Sequence, residues 1–297
     1  MNHFITINRA TCKQCFLCSE VCPNKILTQN SVHELAIRQK RVETCFRCGQ
    51  CMAVCTSQSI VVDTLSYEKD FFPLPKREYE HDRQSFYNLI SSRRAIRNFK
   101  DEPVPKELLE QVIEAITFAP PSFPPLKPEL IIIQDAQRIK QALPEMIRVY
   151  NTLLTMMKNS ITRFFIKREL GGKRFKTLQH HLVPLLRHRM PFLKDGSEDT
   201  ITRNAPAMIL FLADRNGEDN NQDITIAATY GILAAHALGL GGSIMDIIPP
   251  AINHSKTLRQ IFSIPDSHDV ESSIILGYPK YKYQRGIRRS LKTIRWQ

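Results

Sequence analysis

The chain has 297 residues, of which 42% are apolar and 24% charged, and its formal net charge is +12. This is the composition of an ordinary soluble protein, and the excess positive charge calls for an anionic cofactor, an acidic redox protein, a membrane surface or a nucleic acid. No basic run is interleaved with aromatic residues, and no helix-turn-helix or zinc-finger pattern occurs, so we expect no nucleic-acid partner.

All eight cysteines lie in two runs near the start of the chain. Each run has the spacing C-x2-C-x2-C-x3-C, with which bacterial ferredoxins hold two [4Fe–4S] clusters, and the fourth cysteine of each run ligates the other cluster. The spacing therefore predicts two [4Fe–4S] clusters with crossed ligand sets. The sets are Cys12, Cys15, Cys18 and Cys55 for one cluster, and Cys45, Cys48, Cys51 and Cys22 for the other.

A disulfide framework and paired zinc sites are the alternatives to clusters. Disulfides belong to secreted chains. Residues 1–11 lack a basic start followed by a long apolar run, so we expect no signal peptide. Zinc sites need two pairs of ligands rather than two quartets. Thr56 stands where the first run has Pro23, a difference that removes no ligand but is expected to alter the surroundings of one cluster.

The chain is too long for a ferredoxin module alone, so we expect at least two domains. Residues 1–66 are predicted to form the ferredoxin domain, which depends on its clusters for folding because so small a unit buries little surface. Residues 67–84, with Pro73, Pro75 and alternating charges, are typical of a linker of limited flexibility. Residues 85–297 then form a second domain.

Two arginine clusters occur in the second part of the chain. Arg93, Arg94 and Arg97 crowd five positions, and Arg285, Arg288 and Arg289 lie near the C-terminus. Each cluster is either a solvated basic patch or part of a phosphate clamp, since guanidinium groups match phosphate oxygens in paired hydrogen bonds. The residues alone favour the solvated patch.

Periodicity predicts both helices and strands in this second part. A helix is predicted over 105–119, and continuous apolar runs predict buried strands at 130–133, 207–212 and 272–277. The stretch 224–245 is long enough to raise the question of a membrane span, but its glycines favour a buried helix that ends near Leu240 and a strand through Ile244. We expect this helix at an oligomer interface and no transmembrane segment. The mixture points to α/β or α+β layering.

Residues 158–194 are rich in Lys, Arg and His. The apolar residues Phe164, Phe165, Leu178, Leu182, Leu185 and Leu186 predict a pair of amphipathic helices around Gly171 and Gly172. One interpretation of the segment is a solvated cover on the core. Another is a functional element that caps the substrate site or docks an acidic electron donor. The least favoured is a contact with a membrane surface.

Five motifs in the second part resemble, in this order, the nitroreductase family of FMN enzymes. They are Arg93-Arg94-Ala95-Ile96-Arg97-Asn98-Phe99 with the following residues 100–105, Phe118-Ala119-Pro120, Asn204-Ala205-Pro206-Ala207, Ala235-His236-Ala237-Leu238-Gly239-Leu240-Gly241, and Leu276-Gly277-Tyr278-Pro279. The whole chain is similar to ferredoxin–nitroreductase fusions. The resemblance implies an α+β fold class, with a 2[4Fe–4S] ferredoxin-like domain followed by a three-layer α+β FMN domain that forms a homodimer.

The resemblance also implies where FMN binds. It assigns the phosphate and ribityl chain to Arg93, Arg94, Ala95 and Arg97, with Arg285, Arg288 or Arg289 completing the phosphate site. It assigns the reactive edge of the flavin to Gly242, Ser243 and Ile244. Where the family has an Asn that contacts the flavin ring, this chain has Pro124, which cannot make that contact. Ser122 or Lys127 is expected to substitute for it, or the flavin sits in an altered pocket.

Iron–sulfur clusters pass single electrons, whereas flavins store two. The fusion therefore predicts an iron–sulfur flavoprotein oxidoreductase that relays single electrons to FMN and reduces a nitroaromatic, a quinone or a similar conjugated electrophile. The donor is expected to be an acidic redox protein or NAD(P)H, and the location cytoplasmic. The alternative is an electron-transfer adaptor that serves a protein partner without turnover of its own.

Overall fold

The computed structural model describes residues 4–121, 128–216 and 221–297, with only the backbone of Asn221. The chain divides into two compact units, Met1–Tyr79 and Glu80–Gln297. The division falls inside the predicted linker. Tyr67 and Phe71 nevertheless pack against the apolar core of the first unit, so ordered structure continues past residue 66, where we expected the first domain to end.

The first unit contains two antiparallel strand pairs, β1 with β4 and β2 with β3. Its small apolar core includes Ile26, Leu27, Leu35 and Met52. The elements are β1 (Ile5–Ile7), α1 (Leu17–Glu20), β2 (Leu27–Gln29), β3 (Leu35–Ile37), a 3₁₀ helix (Gln39–Thr44), α2 (Gln50–Ala53), β4 (Ile60–Val62) and α3 (Tyr67–Asp70).

The second unit is built on a four-stranded antiparallel sheet in the order β5-β6-β8-β7. Its elements are α4 (Tyr79–Ser92), α5 (Lys106–Thr117), β5 (Glu129–Ile133), α6 (Ala136–Lys158), α7 (Ser160–Thr177), a π-helical turn (Leu178–Leu182), α8 (Val183–Lys194), β6 (Ala207–Asp214), α9 (Asn221–Ala237), β7 (Gly241–Ile244), α10 (Ile248–Asn253), α11 (Lys256–Ile261) and β8 (His268–Gly277).

Helices cover both faces of this sheet. Alternate residues of β6 point to opposite faces, as strand geometry requires. Ile209 and Phe211 pack with α5 and α9, whereas Met208 and Leu210 pack with α6, α8, α10 and α11. The second domain is therefore the three-layer α+β fold that the sequence predicts.

The predicted elements of this unit match the structure closely. The helix at 105–119 is α5, and the three predicted strands are β5, β6 and β8. The stretch 224–245 folds as the helix α9 followed by the strand β7, which are the predicted element types. Within the described part of the chain, no helix combines the length and the apolar character needed to cross a bilayer.

The amphipathic prediction for 158–194 is wrong at three positions, one of which is Leu185 of α8, whose exposed fraction is 41%. Gly171 has φ 70° and breaks α7 where the sequence predicted a division. Phe164 and Phe165, however, are 62% and 57% exposed. Ile166 and Leu170, four residues apart, occupy the inward stripe of the helix instead, so the two phenylalanines face away from the core.

Two glycines allow a close approach at the end of the sheet. A Cβ on Gly277 would lie 2.7 Å from Cδ of Pro206 and 2.8 Å from Cδ1 of Phe99, and a Cβ on Gly241 would lie 2.7 Å from the side chain of Ile96. The segments that contain residues 96–99 and 206 therefore meet over backbone that has no side chain.

We expect Gly277→Ala to lower the free energy of unfolding by about 1–3 kcal/mol, because the new methyl group overpacks a filled site. Gly172→Ala is the matched control, since nothing lies within 4 Å of its Cβ position. The measurement is thermal unfolding of the second domain in the full-length protein. Equal melting temperatures for the two variants would contradict the close approach.

Candidate functional site

The two cysteine runs fold alike. Three positions in each run have a left-handed backbone, namely Gln14, Phe16 and Lys25 in the first and Arg47, Gly49 and Gln58 in the second. The fourth cysteines also have equivalent hydrogen bonds. The N–H of Ile26 donates to Sγ of Cys22 at 3.3 Å, and the N–H of Ser59 donates to Sγ of Cys55 at 3.2 Å. The repeat seen in the sequence is therefore also a repeat in structure.

The cysteines of each predicted quartet influence one another's pKa. Burial, followed by the charges of Cys55, Cys15 and Cys12, raises the pKa of Cys18 to about 11. Burial, followed by the charges of Cys48, Cys22 and Cys45, raises the pKa of Cys51 to about 12. These neighbours are compatible with the crossed ligand sets. The sets themselves, and the clusters that they would hold, stay a prediction.

The surroundings of one predicted quartet fit a bound iron–sulfur core, which is cationic. One cavity is lined by Cys22, Cys45, Cys48 and Cys51 together with apolar side chains such as Ile26. Thiolates gathered at a buried site repel one another, and bound iron would offset this cost. Among the described residues, no three His, Cys, Asp or Glu side chains converge as ligands of one metal ion do. A cubane has its iron atoms at separate corners, so its thiolates need not converge in that way.

Hydroxyl groups surround only the second of the two fourth cysteines within the described residues. Ser57 Oγ lies 3.7 Å from Sγ of Cys55 and 2.9 Å from Oγ of Ser59, which is also 2.9 Å from Oγ1 of Thr11. Burial acts to raise the pKa of Cys55, but hydrogen bonds from Ser59 and Ser57 lower it overall. Sequence reasoning expected different surroundings at Thr56 and missed these hydroxyl groups.

The predicted FMN segment lies beside β7 and the end of β8. Ala95 forms a parallel bridge with Gly242, and the N–H of Ile96 donates to the carbonyl of Gly242 at 3.0 Å. Phe99 forms an antiparallel bridge with Pro279. The structure thus places Ala95 and Ile96 beside Gly242, in two segments that the resemblance assigned to one site. Ser243 is buried, and its hydroxyl donates to the carbonyl of Ile244.

Arg94 connects this segment to the C-terminal residues. Its Nη1 donates to the carbonyl of Ser91 and its Nη2 to the carbonyl of Arg285, both at 3.0 Å. Its Nε is buried and has no hydrogen-bond partner among the described residues. A buried donor without a partner is costly, and a phosphate oxygen would satisfy it. The side chains of Arg285, Arg288 and Arg289 are exposed.

A cavity of about 550 Å³ adjoins Arg94. Oγ of Ser92 and Nε2 of His236 are hydrogen-bonded across it at 2.8 Å. Burial, followed by the positive charges of Arg93 and Arg94, lowers the pKa of His236. Sequence reasoning included His236 only as part of a motif and did not predict its role. Further lining residues are Ile96, Lys100, Gly239, Tyr278, Pro279, Lys280, Tyr281, Lys282 and Tyr283.

The expectations for Ser122, Pro124 and Lys127 concern residues outside the described part of the chain. The flavin-ring contact that Pro124 cannot make therefore stays a prediction.

Comparisons with known proteins agree with this geometry. Residues 90–278 match the nitroreductase family, and residues 11–60 match a 4Fe-4S dicluster domain. The chain belongs to the nitroreductase family. It is an oxidoreductase of this family with an N-terminal iron–sulfur domain.

Individual relatives are distant. Iodotyrosine deiodinase 1 of Rattus norvegicus is 24% identical to this chain over 213 residues. The aligned region covers 69% of this chain and 66% of the deiodinase, so the chain spans just under two thirds of the length of that relative. A putative NADH dehydrogenase/NAD(P)H nitroreductase of Methanothermobacter thermautotrophicus is 24% identical over 195 residues, 64% of this chain and 75% of that protein. A nitroreductase of Bacteroides fragilis, solved with bound FMN, superposes with a TM-score of 0.50 at 15% identity, covering 71% and 97% of the two chains.

Single cysteine variants test the crossed ligand sets. We expect Cys12→Ala and Cys55→Ala to lose the same cluster, leaving about four iron atoms per chain and the same electron paramagnetic resonance signal after reduction. Cys48→Ala should leave the other signal. If the spectrum of Cys55→Ala matched that of Cys48→Ala instead, the crossed assignment would be wrong.

The lowered pKa of His236 predicts a pH dependence of stability. The unfolded chain takes up this proton first, near about pH 6.5, so stability falls as the pH drops from there toward the folded-state pKa. We expect His236→Gln to lose less stability than the unmodified protein between about pH 7.5 and about pH 5.5, as measured by thermal unfolding. His181→Gln, at an exposed position of the same unit, is the control and should follow the unmodified protein. Identical pH profiles for all three proteins would exclude this role for His236.

Proposed function

We propose that the protein is an iron–sulfur flavoprotein oxidoreductase that relays single electrons through two [4Fe–4S] clusters to FMN and reduces an organic acceptor at the flavin. The acceptor is a nitroaromatic, a quinone or a similar conjugated electrophile. The observation that carries this proposal is the pairing of residues 95–96 with Gly242, which sets the arginine segment beside β7 in a chain that also holds two cysteine quartets.

The residues that would hold FMN form two groups. Arg93, Arg94 and Arg285 supply positive charge and the unpartnered Nε for the phosphate, while Ala95, Arg97 and residues 242–244 provide the surface for the rest of the cofactor. Arg288 and Arg289 remain candidates for the same phosphate. When bound, FMN stores two electrons and passes them on singly or as hydride. Residues 242–244 lie in β7, whose pairing with β8 positions this surface.

The eight cysteines would hold the two clusters, which supply one-electron transfer. The small core of the first unit supports this role, because a unit of this size depends on bound metal for stability.

An acidic redox protein is the donor that the surface of α7 favours, with NAD(P)H as the other candidate. The exposed basic residues of this helix are Arg163, Lys167, Arg168, Lys173, Arg174 and Lys176. Such a surface steers an acidic partner, and the steering weakens as salt screens the charges. We place the protein in the cytoplasm as a homodimer, in keeping with its family. The name of the Methanothermobacter relative supports NAD(P)H as the alternative donor.

Anaerobic purification with cofactor analysis tests the first part of this proposal. We expect about eight iron atoms and a matching amount of sulfide per chain, and about one FMN per chain. FMN well below about half of one per chain would overturn the assignment of the second domain.

Reduction of small-molecule acceptors tests the second part of the proposal, which is that the flavin reduces an organic acceptor. The reduced protein is mixed with a panel of neutral nitroaromatics and quinones, and reoxidation of the flavin is followed by stopped-flow absorbance. We expect at least one acceptor to reoxidise the flavin faster than a buffer control. Reoxidation by a protein partner alone would favour the electron-transfer adaptor instead.

A further inference from the structure

We propose that Arg97, Arg189 and Arg203 form a binding site for an oxyanion, and that the oxyanion is a carboxylate carried by the organic acceptor. The site itself is inferred from the unpartnered Nε of Arg203, the strained loop that carries it and the positive charges of Arg97 and Arg189 that act on it. Its assignment to the acceptor rests on the function proposed above, because Arg97 belongs to the segment predicted to contact FMN.

The loop that carries Arg203 is held in a costly conformation. Arg203 and Asn204 have φ angles of 61° and 49°, which residues other than glycine seldom adopt. Asp199 stabilises this shape, since its carboxylate accepts hydrogen bonds from the N–H groups of Ile201 at 3.0 Å and of Thr202 and Asn204 at 2.8 Å, and from the hydroxyl of Thr202. The nearest carboxylate is thus committed to the loop backbone.

The Nε of Arg203 is buried and has no hydrogen-bond partner among the described residues. Arg259, the buried arginine of the same unit, differs. It donates to Oδ1 of Asp269 at 3.2 Å and to the carbonyls of Pro265 at 2.6 Å and His268 at 2.7 Å. Both Nη atoms of this structural arginine therefore have protein acceptors. The other unpartnered Nε in the described part of the chain belongs to Arg94, in the predicted phosphate site.

Packing relates the segments that carry the other two arginines to the loop of Arg203. Phe99, two residues after the exposed Arg97, and Pro206, three residues after Arg203, both lie against Gly277. Met190, which follows the half-buried Arg189 in α8, belongs to the same apolar core as Ile201 and Ala205 of the loop. The segment of Arg97 therefore lies close to the loop of Arg203, and α8 shares its core.

Positive charge from these segments acts on Arg203. Burial, followed by the charges of Arg189 and Arg97, lowers the pKa of Arg203, and the opposing effects of Asp199 and Glu198 are smaller. A guanidinium group remains charged in proteins, so the effect appears as repulsion rather than as loss of a proton. None of the three arginines forms a salt bridge with a described carboxylate.

A bound oxyanion would offset both the unsatisfied hydrogen bond of Arg203 and the repulsion among the three arginines. It would accept the unused hydrogen bond of Arg203 and neutralise the repulsion, and guanidinium groups bind carboxylates through paired, charge-assisted hydrogen bonds. A carboxylate on the acceptor would then orient its reducible end, because the cluster borders the segment predicted to contact FMN. We infer a preference for anionic over neutral aromatic acceptors.

Matched acceptors test the site in the purified protein with its clusters and FMN. Para-nitrobenzoate and para-nitrobenzamide share the nitro group and differ in charge. We expect a lower KM for the benzoate, and we expect Arg203→Gln and Arg189→Gln to raise the ratio of the benzoate KM to the amide KM by about tenfold or more, the effect of losing a charge-assisted hydrogen bond. Arg187→Gln, at an exposed position of α8, should leave the ratio unchanged.

Binding of benzoate, which has no nitro group to reduce, is the second measurement. We expect it to perturb the flavin absorption spectrum and to inhibit para-nitrobenzoate competitively, and both effects should weaken in Arg203→Gln. Arg203→Lys keeps the charge but loses the paired hydrogen bonds, so it should give an intermediate ratio. This variant also covers the case in which the glutamine variant does not fold.

Three results would overturn the site. Equal KM values for the two acceptors in the unmodified protein would show no preference for an anion. Loss of FMN from Arg203→Gln, with both acceptors affected alike, would assign the oxyanion to the cofactor phosphate. Perturbation by benzoate that is unchanged in all variants would place its binding elsewhere. If no acceptor is reduced but benzoate binding depends on Arg203, the anion site stands and the proposed function fails.

Discussion

The second domain depends on a close approach of backbone at the end of its sheet. Gly277 has no Cβ, so Phe99 and Pro206 both lie against it, and Gly241 accommodates Ile96 in the same way. Phe99 is two residues from Arg97, and Pro206 is three residues from Arg203. One packing constraint therefore sets the positions of side chains that are far apart in the sequence, and a strand that ended in a larger residue would separate them.

The same packing influences where positive charges of the domain lie close together. Burying like charges together is unfavourable unless a partner offsets the repulsion. Positive charges lie together at two half-buried places, around Arg94 and around Arg203, and in each a buried Nε lacks a hydrogen-bond partner among the described residues. Arg259, whose role is structural, differs because both of its Nη atoms donate to protein acceptors. Part of the net charge of +12 thus lies at the two sites for which we propose an anionic ligand.

The sequence predicted what local pattern determines. Hydrophobic periodicity predicted α5, β5, β6 and β8 correctly, whereas the crossed ligand sets expected from the cysteine spacing stay a prediction. Prediction from sequence failed where tertiary packing determines which side chains are buried and which distant residues are neighbours. Phe164 and Phe165 look like an apolar face, yet Ile166 and Leu170 take the inward stripe. Arg203 gave no signal at all, because its neighbours Arg97 and Arg189 come from distant segments and its loop is shaped by the hydrogen bonds of Asp199.

The two fourth cysteines show how a repeat acquires different chemistry at its two copies. Both sulfur atoms accept one backbone N–H, from Ile26 at Cys22 and from Ser59 at Cys55. Ser57 and Ser59 then add hydroxyl groups beside Cys55, at positions where the first run has Asn24 and Ile26. Hydrogen bonds to sulfur and the polarity of the surroundings set the reduction potential of an iron–sulfur cluster. Two copies with identical cysteine spacing therefore need not have equal potentials, and a difference between them would give electron flow through the first domain a direction.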